Sequence, residues 1–217
     1  MAKVKMPIVG TSASGQLGKS IVYGSWRGVS YARQLVHPSN PRTENQMKTR
    51  SVFSYLNEFY KIAPSALAEV WDEYAKGKPF LGRNAFLSFN ISALRESIDN
   101  IDQVNSPGVR GGFALASLQA TQTGNAGELM ISVSWPVSIP GGWTIQRAYA
   151  IVFRVQDPHE AVVEQIRLGQ IHYPDNSVVV SGLSSGEMYV VSAWAVYLRS
   201  DGKVAYGPSL NVLGQPL

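Results

Sequence analysis

The chain has no cysteine among its 217 residues, which excludes disulfides, thiolate metal sites, iron–sulfur clusters and cysteine nucleophiles together. Histidine is scarce as well. His37, His159 and His172 lie far apart in sequence and none has a ligand-type spacing, so neither a metal nor another cofactor is expected. No apolar run approaches the roughly 18 residues that span a bilayer, and the opening MAKVKMPIVGTSASG has no sustained apolar core of the signal-peptide kind. The expectation is a product made and kept in the cytoplasm. Catalytic patterns are missing too. GQLG and GVRGG lack the lysine and Ser/Thr register of a phosphate loop and the strand–helix setting of a dinucleotide fingerprint, so Gly15 and Gly18 read as turn residues. No serine sits in a nucleophile elbow. Glu69, Asp72 and Glu73 face away from an apolar helix stripe, and neither they nor Asp99 and Asp102 have a histidine nearby. An enzyme is therefore not expected.

Ordinary globular material is present. The hydrophobic fraction is 45%, enough for a packed core. The net charge of +4 hides an asymmetry: residues 1–112 carry 14 Lys and Arg against 8 Asp and Glu, whereas residues 113–217 carry 5 against 7. The first 50 residues hold 8 basic side chains and 1 acidic one. Such a segment is suited electrostatically to an acidic protein surface, a nucleic acid or an anionic lipid.

Alternation of side chains predicts an N-terminal hairpin. Ile21, Tyr23 and Ser25 alternate with Val22, Gly24 and Trp26, a tight turn follows at Arg27-Gly28, and VSYARQLV returns. The prolines of HPSNPR break the pattern. Thr43 then stands as an N-cap with Gln46 completing a capping box, and Val52, Phe53, Leu56, Phe59 and Tyr60 recur at helical spacing. Pro64 ends this helix. Ser65 caps a second, SALAEVWDEYAKG, with Leu67, Val70, Trp71 and Tyr74 in one stripe and Gly77 closing it. A third helix over about residues 82–95 is suggested by Phe86, Phe89 and Leu94, with Asn90 and Ile91 weakening it. The polar stretch SIDNIDQVNSPGVRGG reads as a linker. Beyond it come about seven strand-like segments with turn signals at Gly124-Asn125, Gly141-Gly142 and Asp201-Gly202, the pattern of an immunoglobulin-like sandwich. The expected architecture is thus an α+β N-terminal domain over 1–96, built of a β-hairpin plus a helical hairpin, a linker over 97–112, and an all-β sandwich over 113–217.

The C-terminal segment resembles fibronectin type III domains. Trp135 in ISVSWPV is similar to that family's core tryptophan, and Leu183, Gly186 and Tyr189 in GLSSGEMYVVSAWAV to its leucine, turn glycine and corner tyrosine. The long stretch DPHEAVVEQIRLGQIHYPDN departs from the pattern. The resemblance implies a binding or spacer module. SGQLGKSIVYGSWRGVSYARQL and NPRTENQMKTRSVFSYL resemble an uncharacterised family found in Bacteroidetes and in phage-type genomes, which implies a relationship and, by analogy, a virion protein.

From these readings the expected function is a phage virion structural protein, made in the host cytoplasm and located in the virion. It would be an accessory of head surface, neck or tail, with other capsid or tail subunits as multi-copy partners. Docking is expected through Trp26, Arg27, Tyr31, Arg33, Arg42 and Arg50, because tryptophan and arginine dominate interface hot spots. Nucleic acid is the less favoured partner, since no known motif accompanies the basic and aromatic residues. The alternative reading is a cell-surface adhesion or carbohydrate-binding module, with its site on the sandwich loops.

Overall fold

A computed structural model describes residues 2–3, 14–26, 29–37, 39–96, 100–109, 113–160 and 163–217. The chain divides into two compact units, Met1–Arg42 and Thr43–Leu217.

The first unit is a four-stranded antiparallel sheet of β1 (Ala2–Lys3), β2 (Gly15–Leu17), β3 (Ile21–Trp26) and β4 (Val29–Gln34), in the order β1-β4-β3-β2. The alternation read from sequence is realised in β3 and β4, which pair from Ile21↔Gln34 to Trp26↔Val29. The predicted turn at Arg27-Gly28 lies outside the described residues.

The second unit opens with three helices, α1 (Glu44–Ile62), α2 (Ser65–Ala75) and α3 (Gly82–Leu94). Thr43 is the N-cap of α1, but its side chain makes no capping hydrogen bond, and Pro64 rather than Ser65 is the N-cap of α2. Gly77 closes α2 at φ +78°, a conformation that favours glycine. Asn90 does not break α3. Its amide donates to the Phe86 carbonyl at 2.9 Å and the Val104 carbonyl at 3.0 Å, while its Oδ1 accepts from the Val104 N–H at 2.6 Å. A residue that reads as a helix weakener is thus the tie between α3 and the segment that follows.

The strands of this unit are β5 (Pro107–Val109), β6 (Ser117–Gln122), β7 (Leu129–Ser134), β8 (Trp143–Arg154), β9 (Ile166–His172), β10 (Ser177–Val180), β11 (Tyr189–Arg199), β12 (Val204–Pro208) and β13 (Leu210–Gly214). They form a small sheet β10-β7-β6 and a large one β5-β12-β11-β8-β9, with β13 paired to the first half of β11. All pairings are antiparallel.

The two faces of the large sheet bury different neighbours, because side chains alternate along a strand. Tyr189, Val191, Ala193, Ala195 and Tyr197 of β11 pack with Leu129, Ile131 and Val133 of the small sheet. Val190, Trp194 and Val196, with Ile151 and Phe153 of β8, pack instead with Leu56, Phe59, Trp71 and Phe86 of the helices. The architecture is therefore three layers of helices, large sheet and small sheet.

This corrects the expected division into 1–96, 97–112 and 113–217. The helices share a core with the sandwich, and residues 100–109 are a seam between them rather than a linker. Asn100, Gln103, Asn105 and Ser106 are fully buried. The Trp71 indole N–H donates to the Asn105 carbonyl at 2.9 Å, the Asn211 amide donates to the carbonyls of Ile101 at 2.5 Å and Gln103 at 2.8 Å, and the Ser106 hydroxyl donates to the Gly207 carbonyl at 2.5 Å. Polar residues mark a seam here because buried irregular backbone must find hydrogen-bond partners.

Candidate binding surface

Strand register assigns each side chain of the N-terminal sheet to a face. On one face stand Gln16, Val22 and Arg33 in one row, Gly24 and Tyr31 in the next, and Trp26 with Val29 at the end. On the other stand Leu17, Ile21 and Gln34, then Tyr23 and Ala32, then Ser25 and Ser30. The first face is aromatic and cationic; the second is mostly apolar and carries no charged side chain among these residues.

Among its described residues the sheet has no buried side chain on either face. Trp26 is 70% exposed, Leu17 54% and Ile21 38%. Both faces of the described sheet are therefore candidate binding surfaces.

Gly24 shapes the aromatic face. A Cβ at this position would lie 2.7 Å from Tyr31 Oη and 2.8 Å from its Cζ, so the Tyr31 ring reaches across β3 into the space that any other residue would fill. The ring is thereby seated on backbone. Arg33, two residues further along the same strand face, is exposed, as is Lys19 in the turn that precedes β3 at that end of the sheet.

Of the residues expected to dock, Trp26, Tyr31 and Arg33 come together on one face. Arg27 lies outside the described residues. Arg42 is exposed at the end of the first unit, beyond β4, and Arg50 is exposed on α1 in the second unit; neither belongs to the sheet. Sequence reading missed Gly24 as the seat of Tyr31, although a glycine inside an alternating strand is the available signal for close approach.

Among the described residues, the second unit offers concavities of several kinds. A polar one of about 650 Å³ is lined by Asn45, Lys48, Arg95, Glu96, Asp157 and His159, but Lys48 pairs with Glu44 at 2.8 Å and Arg95 with Glu96 at 3.2 Å. An apolar groove of about 400 Å³ runs along Tyr74, Phe80 and Phe89, with the Lys78 ammonium 3.2 Å from the Tyr74 ring centre. A smaller one, about 210 Å³, lies beside Glu69, Arg147, Tyr149 and Tyr206. Burial, aided by the nearby Glu69 carboxylate, pushes the Tyr206 phenol up to about 12, so it remains a neutral donor. Among the described residues no three His, Asp or Glu side chains converge on a metal-sized site, and no helix is long and apolar enough to cross a membrane.

The corner of the sandwich matches what was read from sequence, whereas Trp135, expected in a strand as a core tryptophan, lies past β7 and is only partly buried. The Tyr189 hydroxyl accepts the Ser184 N–H at 2.8 Å as a corner tyrosine does, Leu183 is buried, and Gly186 turns the chain at φ +78°. Trp135, just past β7, is half-buried against the core between the sheets and donates its indole N–H to the Asp175 carbonyl at 2.9 Å.

The molecule is thus a β-sandwich protein that resembles fibronectin type III-like folds in its C-terminal part, backed by helices and preceded in sequence by a small basic sheet. It belongs to a family of unknown function, DUF6266, matched over residues 12–163. No curated protein matches the chain. Among solved structures, one described as a myokine is 14% identical with a TM-score of 0.36, covering 49% of this chain and 100% of its own. A fibronectin type III domain of human collagen alpha-1(XX) is 12% identical with a TM-score of 0.37, covering 51% and 91%.

Proposed function

We propose that this chain is a structural, multi-copy component of a larger particle, an accessory of a virion's head surface, neck or tail, attached through its N-terminal sheet. The observation that carries this reading is the lack of any buried side chain among the sheet's described residues. The face with Leu17, Ile21, Tyr23 and Ala32 is the one suited to a neighbouring subunit, because it presents apolar area without a charge to desolvate. A surface of this size holds a single pair weakly. Repeated by symmetry over many copies, weak contacts sum to a stable attachment. The helix-backed sandwich is then the body that the particle displays.

The test is immunogold labelling of particles purified from the source culture, using antibody raised against the recombinant chain. Label on particles is expected, and Ile21→Asp is expected to abolish incorporation while the purified variant retains its fold by circular dichroism. Unlabelled particles, with antigen on cell surfaces instead, would overturn the proposal in favour of an adhesion module.

A further inference from the structure

We infer that the opposite face of the same sheet, carrying Trp26, Tyr31 and Arg33, is a binding site for single-stranded nucleic acid. Three observations converge on this ligand. The first is charge. Before Glu44 the chain has six basic residues, Lys3, Lys5, Lys19, Arg27, Arg33 and Arg42, and no acidic one. A segment without a carboxylate repels no phosphate, and each cation that meets one releases condensed counterions.

The second observation is geometry. Register puts Tyr31 opposite Gly24 and Trp26 opposite Val29, which makes the two rings diagonal neighbours on one face, with Arg33 next along β4. Sheets that hold unpaired bases use this arrangement of aromatic side chains on an antiparallel surface with cations beside them. The third is the seating of Tyr31 on the bare backbone of Gly24. The ring already lies across the strand without a ligand, an arrangement that lowers the ordering entropy of stacking on it. An acidic protein patch would satisfy the cations equally but offers few flat partners for two rings. A duplex offers phosphates while keeping its bases stacked on each other.

This inference does not rest on the particle reading, since the two surfaces lie on opposite faces of the sheet. The experiment is a fluorescence-anisotropy titration of the full chain against a labelled oligothymidylate of about twenty nucleotides, with a duplex of the same length beside it. Preferential binding of the single strand is expected, together with quenching of tryptophan emission that disappears in Trp26→Ala. Trp26→Ala and Tyr31→Ala are each expected to weaken binding about tenfold, whereas Tyr31→Phe keeps it. Arg33→Gln should make the plot of log affinity against log salt shallower by about 0.7. Gly24→Val, which displaces the Tyr31 ring without removing it, should match Tyr31→Ala, and Val137→Ser, at a fully exposed position of the second unit, should bind as the parent does. Equal affinity for duplex and single strand, unchanged in Trp26→Ala and Tyr31→Ala, would overturn the site in favour of diffuse charge attraction. Absence of oligonucleotide binding at low salt would overturn it outright, leaving an acidic protein as the partner of this face and the attachment through the Ile21 face intact.

Discussion

At the residue scale the second unit is held by a few polar side chains in a mostly apolar interior. Asn90 is the clearest case, because one side chain completes three hydrogen bonds, two to the Val104 backbone and one to the Phe86 carbonyl within α3. Removing it strands buried or half-buried peptide groups, and the cost of leaving such groups unpaired exceeds the net value of the bonds themselves. Asn90→Ala is expected to destabilise the chain by about 2–3 kcal/mol, read as a lower urea midpoint with the slope of the transition unchanged. Trp71 works alongside it, packed edge-on against Phe86 and Phe89 with ring centres 5.5 and 5.4 Å away, and held to Asn105 by its indole N–H. Tryptophan suits this place because it fills the helix–sheet interior and still has a donor for the seam.

At the scale of elements, β11 and β12 make the chain sensitive to alkali. The Tyr197 hydroxyl of β11 donates to the Phe113 carbonyl at 2.7 Å, and burial pushes its pKa up to about 12, as it does that of Tyr206 on β12. In the unfolded chain both phenols return to the ordinary value near 10. The folded state then binds more protons than the unfolded one between these values, so stability is fully present below pH about 10 and falls as pH rises towards about 12. Tyrosine ionisation followed at 295 nm is expected to coincide with loss of near-ultraviolet circular dichroism. In Tyr197→Phe and Tyr206→Phe the fall should be shallower. By contrast, the turn from β11 to β12 is insensitive in this range. There Arg199 forks onto the Asp201 carboxylate and holds it well below the usual carboxylate range.

At the scale of the whole molecule, the helices and the sandwich form one compact unit and the N-terminal sheet another. A fragment of residues 43–217 is expected to retain a single cooperative thermal transition. A fragment of residues 113–217 is expected to aggregate. It uncovers the face of the large sheet that carries Ile151, Phe153, Val190 and Trp194, each no more than 1% exposed in the intact chain. Size-exclusion chromatography with calorimetry separates these outcomes, and a soluble, cooperatively folding 113–217 fragment would contradict the three-layer core.

The sequence by itself determined the local features. Alternation gave the β3–β4 hairpin, apolar stripes gave the three helices, and the order of Leu183, Gly186 and Tyr189 gave the sandwich with its corner, because these patterns follow from the repeat of a strand or a helix and from the backbone needs of single turns. It left undecided what those surfaces meet. The run YVVSAWAV of β11 is buried on both faces, and an unbroken apolar run does not say whether a second sheet or a helix layer covers each side. The polar residues of 100–109 suggested a linker, because hydrogen bonding to a distant β12 and β13 leaves no trace in local composition. The proposed binding face was legible only in part. Trp26, Tyr31 and Arg33 could be picked out one by one as aromatic or basic, but their sharing a face, and the seat that Gly24 makes for Tyr31, come from the register of two strands. Only the tertiary structure decided that, since register is a long-range choice between chain segments and side-chain chemistry is a local one.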